Sequence, residues 1–449
     1  MSVRRWSAIL VCVLCNVIDG LDLLLASYAL PHLPDNFISP SEKGSLISLG
    51  FAGMAVGSLF LAPLADRVGR KNVIVASLFV STASLALTAL APNIEWMLGT
   101  RLLTGLAVGT VTPLLFVLAD ELASEERRSL SVGLVALGYP LGSALGGLVG
   151  LFIIKSFDGA WQALFVCGAV ISLLVWVLAA TSMPESPTFL VSRNNPAAQK
   201  KLARIADRLR LADVDPTAAR PAAAEEVEHG AKPGLLSPAY RTRTWLLWIG
   251  YSAGSTAFYF VNSWTPQLIT TASGSAETGT VVGTILSMGG LAGAALFSIV
   301  MIRFSPTKTG WIAGISAVTI QVIFALTLPH GPAIVAAAFL GMTLQILQSS
   351  YVTTCTRLYP TAIRARAEGL MMGFSRIGTI LVPLAVGYVL TRVTANALYL
   401  VAAAVMVVSA TLIFVLWKLT KQHFMPSAPQ SGPLEARPDT SRSEGRSPV

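Results

Sequence analysis

The sequence predicts an all-α membrane protein whose twelve transmembrane helices fall into two six-helix bundles. Three observations lead there. Of the 449 residues, 53% are hydrophobic and only 12% are charged, about half the charge of a soluble domain. The apolar residues run in long blocks near the ~20 residues needed to cross hydrocarbon, not in alternating or heptad patterns. The second half of the chain also repeats parts of the first.

The expected spans are 6–30, 43–65, 72–92, 96–119, 129–154, 161–181, 244–269, 278–302, 309–328, 331–356, 364–390 and 395–418. The first is too long for a signal-peptide core, and no small-residue cleavage site follows it, so it is expected to remain a span. The longest interior connection, 182–243, divides the spans six and six. The chain therefore reads as a bundle over 1–181, a polar cytoplasmic loop over 182–243, a bundle over 244–418 and a tail over 419–449. Within the loop, "NPAAQKKLARIADRLR" has the spacing of a short amphipathic helix. The tail is rich in Pro and Ser with few bulky apolar residues, and is expected to be disordered.

The net charge of +9 could suggest a nucleic-acid partner, but its placement argues against one. Arg4/Arg5, Arg67/Arg70/Lys71, Arg127/Arg128, Arg303/Lys308, Arg357/Arg364/Arg366 and Lys418/Lys421 all fall on one side of the expected membrane. Little beyond Lys43, Lys155 and Arg392 falls on the other. Such asymmetry puts both termini in the cytoplasm and allows some attraction to anionic lipid. Membrane lipid is an expected partner and nucleic acid is not. Cys12, Cys15, Cys167 and Cys355 lie within spans, show no zinc spacing and read as small packing residues. No metal spacing, nucleotide loop or nucleophile elbow is present. An enzyme, a cofactor and an ATP-driven pump on this chain alone are therefore not expected.

The repeat is explicit. "RRSLSVGLVALGYPLG", 127–142, aligns without gaps to "IRARAEGLMMGFSRIG", 363–378, matching Arg128 with Arg364, Gly133 with Gly369 and Gly142 with Gly378. This equates the fifth span with the eleventh. Repeated six-helix halves are the pattern of transporters with a central site.

Charge inside the spans marks that site. "NVIDGLDLLLASYALP" carries Asp19 and Asp22, each costing roughly 2.5–3.5 kcal/mol or more at bilayer depth. By helical rise they lie about 20–24 Å from one end of their span, while Arg101 lies about 9 Å from the other boundary. In a ~30 Å core those depths nearly coincide, so the aspartates and Arg101 can meet in a polar cavity. Arg376 falls about 18 Å along its span, near mid-membrane. Asn16 is close to the aspartates in sequence. Spans seven and ten add Tyr259, Asn262, Trp264, Gln345 and Gln348, whose rings and amides suit a flat aromatic acid. His330, at the outer start of span ten, reads as a solvated interfacial residue.

"GSLFLAPLADRVGRKN", 57–72, supplies a short loop. Gly69 permits its tight turn, Asp66 can pair with arginines, and Arg67 and Arg70 suit helix C-terminal ends. Such pairs would hold the two bundles closed on one side. "RLLTGLAVGTVTP", 101–113, places Gly105 and Gly109 on a small-residue face for close helix approach.

These motifs resemble the major facilitator superfamily, whose loop signature is G-x-x-x-D-R-x-G-R-[KR]. "PESPTFL", 184–190, resembles a motif of its sugar and metabolite carriers, with Thr188 where Arg is common. "LYPTAIRARAEGLMMGFSRIGTILVP", 358–383, together with "DGLD", closely resembles the aromatic acid:proton symporter family. That resemblance spans nearly all of 1–420. It implies proton-coupled uptake of a hydroxybenzoate-like anion by alternating access through a bacterial inner membrane, by a protein expected to be monomeric. It puts Asp19, Asp22, Asp66, Arg70, Arg101, Glu121, Arg364 and Arg376 at the family's functional positions. On this reading Asp22 carries the proton and Asp19 holds Arg101. Arg101 and Arg376 meet the anion, while Asp66, Arg67, Gly69, Arg70, Glu121, Arg128 and Arg364 gate. The alternatives are a sugar or other metabolite porter and a non-transporting membrane sensor.

Overall fold

The computed structural model describes residues 2–209 and 234–420, except 35, 158, 194, 239, 329 and 330. Residues 210–233 of the central loop, the tail beyond Thr420 and His330 lie outside the described residues. The described chain is helical, with no strand. Its long helices are α1 (Val3–Ala29), α2 (Pro40–Val56), α3 (Arg70–Ala89), α4 (Ile94–Leu122), α5 (Arg128–Ser156), α6 (Trp161–Ser182), α7 (Arg241–Ser273), α8 (Ala276–Val300), α9 (Pro306–Thr327), α10 (Pro332–Leu358), α11 (Thr361–Val389) and α12 (Ala395–Thr420). A short helix, Pro196–Leu209, forms where the loop carries the amphipathic pattern.

Eleven of the long helices are apolar enough to cross a membrane, α7 being the exception. Its Ser255, Asn262, Ser263, Thr265 and Gln267 are buried. The helix turns its polar groups toward protein and spends its hydropathy there, as lipid-spanning helices with an inner polar face do. α2 continues past Val56 through a wide turn, Gly57–Leu61, and a tighter one, Ala62–Leu64. Pro63 lacks an amide hydrogen and crowds the preceding turn, which accounts for the irregularity.

α1 to α6 pack chiefly on one another, and so do α7 to α12. Glycines set how closely they approach. The face expected at Gly105 and Gly109 lies against α2, where a Cβ at Gly109 would fall 2.1 Å from the Met54 carbonyl oxygen. Gly142 lets α5 close on α1, since a Cβ there would fall 1.9 Å from the Val17 oxygen. Its repeat partner Gly378 does the same for α11 on α7, where Thr256 Oγ1 would be 2.0 Å away. The repeat thus preserves two equivalent helix crossings.

The two sets meet along α2 with α11, α5 with α8 and α1 with α7. Bonds between them gather away from the arginine-rich end. Lys43 Nζ donates to Gln267 Oε1 at 3.2 Å, Ser48 Oγ donates to the Ile380 carbonyl at 2.8 Å, and Lys155 pairs with Glu277 at 2.7 Å. Gly44 lies against Pro383 and Gly387. Toward the arginine-rich end of α11, a Cβ at Gly369 or Gly373 would meet nothing within 4 Å.

Adding one methyl at the α1–α5 crossing tests this packing. Gly142→Ala is expected to destabilise the purified protein by about 1–3 kcal/mol. Gly133→Ala, at open space on the same helix, is expected to be neutral or stabilising by up to about 1 kcal/mol. Denaturation in detergent measures both.

Candidate functional site

The charged residues of the spans converge at the centre but divide unequally. Arg101 is 3% exposed and its Nη1 donates to Asp22 Oδ1 at 3.1 Å. Its Nη2 lies 3.4 Å from Thr88 Oγ1 and 3.3 Å from Thr104 Oγ1, and its guanidinium stacks 5.0 Å from the Phe165 ring centroid. Thr88 in turn donates to Thr100 at 2.8 Å. α3, α4 and α6 therefore hold Arg101 in a cage of hydroxyls and one ring, with Asp22 of α1 as its counter-charge. The sequence reading gave Asp19 the task of holding Arg101. The structure gives it to Asp22, because Asp19, one turn earlier on the same face, meets α4 at the level of Thr112.

Asp19 instead accepts from Thr112 Oγ1 at 2.9 Å. Its Oδ1 is buried and has no hydrogen-bond partner among the described residues. Electrostatically its neighbours are Asp22 and, from the other helix set, Arg376 of α11. Arg376 lies beside the Tyr259 hydroxyl, and its Nη1 is buried without a hydrogen-bond partner among the described residues. The centre thus holds one ion pair within the first set, whose Arg101 Nε is also buried without a hydrogen-bond partner among the described residues. It also holds an acid and a cation on opposite sets, each with an uncommitted atom.

Two cavities flank this centre. One is lined by Asp19, Asp22, Arg101 and Ser263 against Phe51, Met54 and Val108. The other lies between α5, α7, α8 and α10, with Tyr139, Asn262 and Gln345 among its walls. Phe51 and Tyr259 meet edge to face at 4.9 Å across the two sets.

Other expected residues are placed less centrally. Asn16 Nδ2 donates to the Val135 carbonyl at 2.7 Å, tying α1 to α5. Asn262 Nδ2 donates to Phe258 O of its own helix at 2.9 Å while lining the second cavity. Gln348 Nε2 donates to Ser255 at 2.8 Å. Trp264 is 0% exposed and lines neither cavity.

The loop residues assemble at the arginine-rich end. Gly69 takes φ 107, which favours glycine, and a Cβ there would lie 2.6 Å from Glu185 Oε2. Arg70 forms an ion pair with Glu121 and donates to Ser186 at 3.0 Å and Thr188 at 3.1 Å. Asp66 stands 3.9 Å from Arg70 and is mostly exposed. The Arg67 carbonyl accepts from Arg193. Arg128 pairs with Asp120 at 3.3 Å, and Arg364 lies in electrostatic reach of Glu368. Glu185 Oε1 accepts the Lys71 amide at 2.9 Å. So the Pro-Glu-Ser-Pro-Thr segment builds the loop cluster and does not merely follow it. Sequence reasoning also missed Thr112 and Tyr139. Their only signal is polarity beside a helix-interior proline, Pro113 or Pro140.

Residues 12–363 match the Major Facilitator Superfamily. The chain belongs to that superfamily of membrane transporters and, within it, to the aromatic acid:proton symporter family; it is not an enzyme. The 4-hydroxybenzoate transporter PcaK of Acinetobacter baylyi is 31% identical over 389 residues, covering 85% of this chain and 84% of its own length. The gallate transporter of Pseudomonas putida is 30% identical over 400 residues, covering 87% of each. The fold matches the xylose transporter XylE from E. coli with a TM-score of 0.72 at 18% identity, over 95% of this chain and 98% of that one.

The unequal pairing predicts unequal stability effects. Asp22→Asn strands the Arg101 charge and is expected to cost about 3–5 kcal/mol. Asp19→Asn replaces one hydroxyl hydrogen bond and is expected to cost about 1 kcal/mol. Equal losses on denaturation in detergent would contradict the assignment.

Proposed function

We propose that this protein imports a hydroxybenzoate-like aromatic carboxylate together with protons, by alternating access. The observation that carries the reading is the facing pair of Asp19 and Arg376, each with an uncommitted buried atom, on helix sets that must part and rejoin. Arg376 is the cation for the substrate carboxylate, in a site dry enough for a charge-assisted contact to be strong. Tyr259 beside it adds a hydroxyl and a ring edge. Ionised Asp19 competes with the substrate for Arg376. Protonation of Asp19 removes that competitor and leaves Arg376 to the anion. Release of both toward the cytoplasm restores the attraction between the sets.

Asp19 is therefore the proton carrier in this proposal, in place of Asp22, which stays with Arg101. Arg101 then supports the cavity instead of meeting the anion. The bonds at Lys43, Ser48 and Lys155 keep the face opposite the arginine-rich loops closed. With both termini in the cytoplasm, that is the outer face of a bacterial inner membrane, and the conformation is inward-facing. The bundles 1–181 and 244–418 rock as units about the site. Residues 182–243 link them, residues 419–449 trail in the cytoplasm, and a monomer suffices. The Asp66, Arg70 and Glu121 cluster, with Arg67, Gly69, Arg128 and Arg364, acts when the inner side closes.

Gradient-driven uptake and counterflow of labelled 4-hydroxybenzoate in proteoliposomes test the reading. With acid outside, wild type is expected to accumulate the acid. Asp19→Asn, a mimic of the protonated acid, is expected to lose accumulation while keeping exchange. Arg376→Ala is expected to weaken binding by about 2–5 kcal/mol. Full competition by glucose-like sugars, with none by aromatic acids, would favour a sugar porter. Accumulation by Asp19→Asn at the wild-type level would remove Asp19 from the coupling step.

A further inference from the structure

Thr112 of α4 offers one hydrogen to two acceptors. Its Oγ1 is 2.9 Å from Asp19 Oδ2 and 2.9 Å from the Val108 carbonyl oxygen, one turn back on its own helix. A hydroxyl donates once, so only one acceptor is served at a time. Thr82, Thr88 and Thr104 also reach the carbonyl four residues back. Among the described residues of the long helices, Thr112 is the threonine whose hydroxyl also reaches a carboxylate. The backbone beside it is a weak point of α4. Pro113 follows inside the helix and has no amide hydrogen, so the Gly109 carbonyl loses its helical donor.

Asp19 in turn depends on this hydroxyl. Its Oδ1 is buried without a hydrogen-bond partner among the described residues, and Thr112 supplies the bond to its Oδ2. The charged and titratable groups in its electrostatic reach are Asp22 on α1, Arg376 on α11, Tyr139 on α5 and Tyr259 on α7. Arg101 of α4 is taken by Asp22. Thr112 is therefore the group that touches Asp19 directly, and a hydroxyl can both give and accept a hydrogen.

We propose that Thr112 is a positioning residue of the proton step and sets the pH at which Asp19 exchanges its proton. The inference rests on the reading of Asp19 as the proton carrier. With Asp19 ionised, the Thr112 hydrogen points at Oδ2. When Asp19 gains a proton, the acid becomes the donor and Thr112 Oγ1 the acceptor, and the Thr112 hydrogen turns to the Val108 carbonyl. One proton enters, and the hydroxyl keeps a partner in both states. The two states are not served equally. A hydrogen bond to an ionised acceptor is about twice as strong as one between neutral groups. The hydroxyl thus favours the ionised form and helps Asp19 to give its proton up. An apolar side chain of the same shape would leave the proton bound to higher pH.

The test is the pH dependence of 4-hydroxybenzoate affinity, measured by titration calorimetry on the purified full chain in detergent. On the carrier reading, wild-type affinity falls as rising pH ionises Asp19, and Asp19→Asn abolishes that fall. Thr112→Val keeps the shape without the hydroxyl, and its fall is expected about 0.5–1 pH unit above that of wild type. Thr112→Ser is expected to keep the wild-type position. Thr112→Ala repeats the loss with a smaller side chain should valine crowd the turn beside Pro113. A residue that only packs α4 would change affinity by the same factor at every pH. A fall that stays at the wild-type pH or moves below it in Thr112→Val and Thr112→Ala, or one displaced equally in Thr112→Ser, overturns the role of Thr112 and leaves Asp19 as the carrier. Wild-type affinity that does not fall with pH, or falls equally in Asp19→Asn, overturns the carrier reading and this inference with it.

Discussion

The ion pair between Arg101 and Asp22 decides where charge remains available in the centre of the protein. Two acids and two arginines sit at depths where an unpaired charge is costly. Once Asp22 is committed to Arg101 at 3.1 Å, two charges remain. Asp19 and Arg376 stand on different helix sets, and neither has its full complement of bonds. In the proposed cycle, an attraction that crosses between the sets can be broken and remade. One closed within a single set cannot take part in that way. The hydroxyl cage of Thr88 and Thr104 and the Phe165 ring keep Arg101 from swinging toward the other set.

Helix packing makes that separation of roles possible. Gly20, Gly138 and Gly142 seat α1 on α5, and Gly53, Gly57, Gly105 and Gly109 seat α2 on α4. Contacts this close are made by backbone against backbone, so they fix the phase of α1 about its axis. That phase aims Asp22 at α4's Arg101 and Asp19 at Thr112 and the facing set. The irregular end of α2 around Pro63 leads into the loop cluster, where Arg70, Glu121, Ser186 and Thr188 join three separate segments of the first set.

Much of this was legible in the sequence. Long apolar blocks gave the helices, and the Gly142–Gly378 register marked two equivalent crossings. The α7 helix was read among the apolar blocks as well, though its inward polar groups lower its hydropathy below that of the other eleven. The pairing of the aspartates was not legible. Depth along a helix places Asp19 and Asp22 level with Arg101, but both face α4, and which one meets Arg101 and which Thr112 depends on how α1 is set against α4, which tertiary packing fixes. Likewise Trp264 reads as a binding ring and is buried away from both cavities. Tyr139 sits in a stretch that reads only as a repeat. Glu185 and Ser186 gain meaning from Gly69 and Arg70, more than 100 residues away in the chain.

The central claim is that substrate and Asp19 compete for Arg376, so that binding the acid draws in a proton. Addition of 4-hydroxybenzoate to the purified protein in weakly buffered detergent solution, followed with a pH indicator, measures that exchange directly. Proton uptake that accompanies binding, disappears in Asp19→Asn and survives in a folded Asp22→Asn is the predicted result. Uptake that survives in Asp19→Asn, or is lost only in Asp22→Asn, would contradict it.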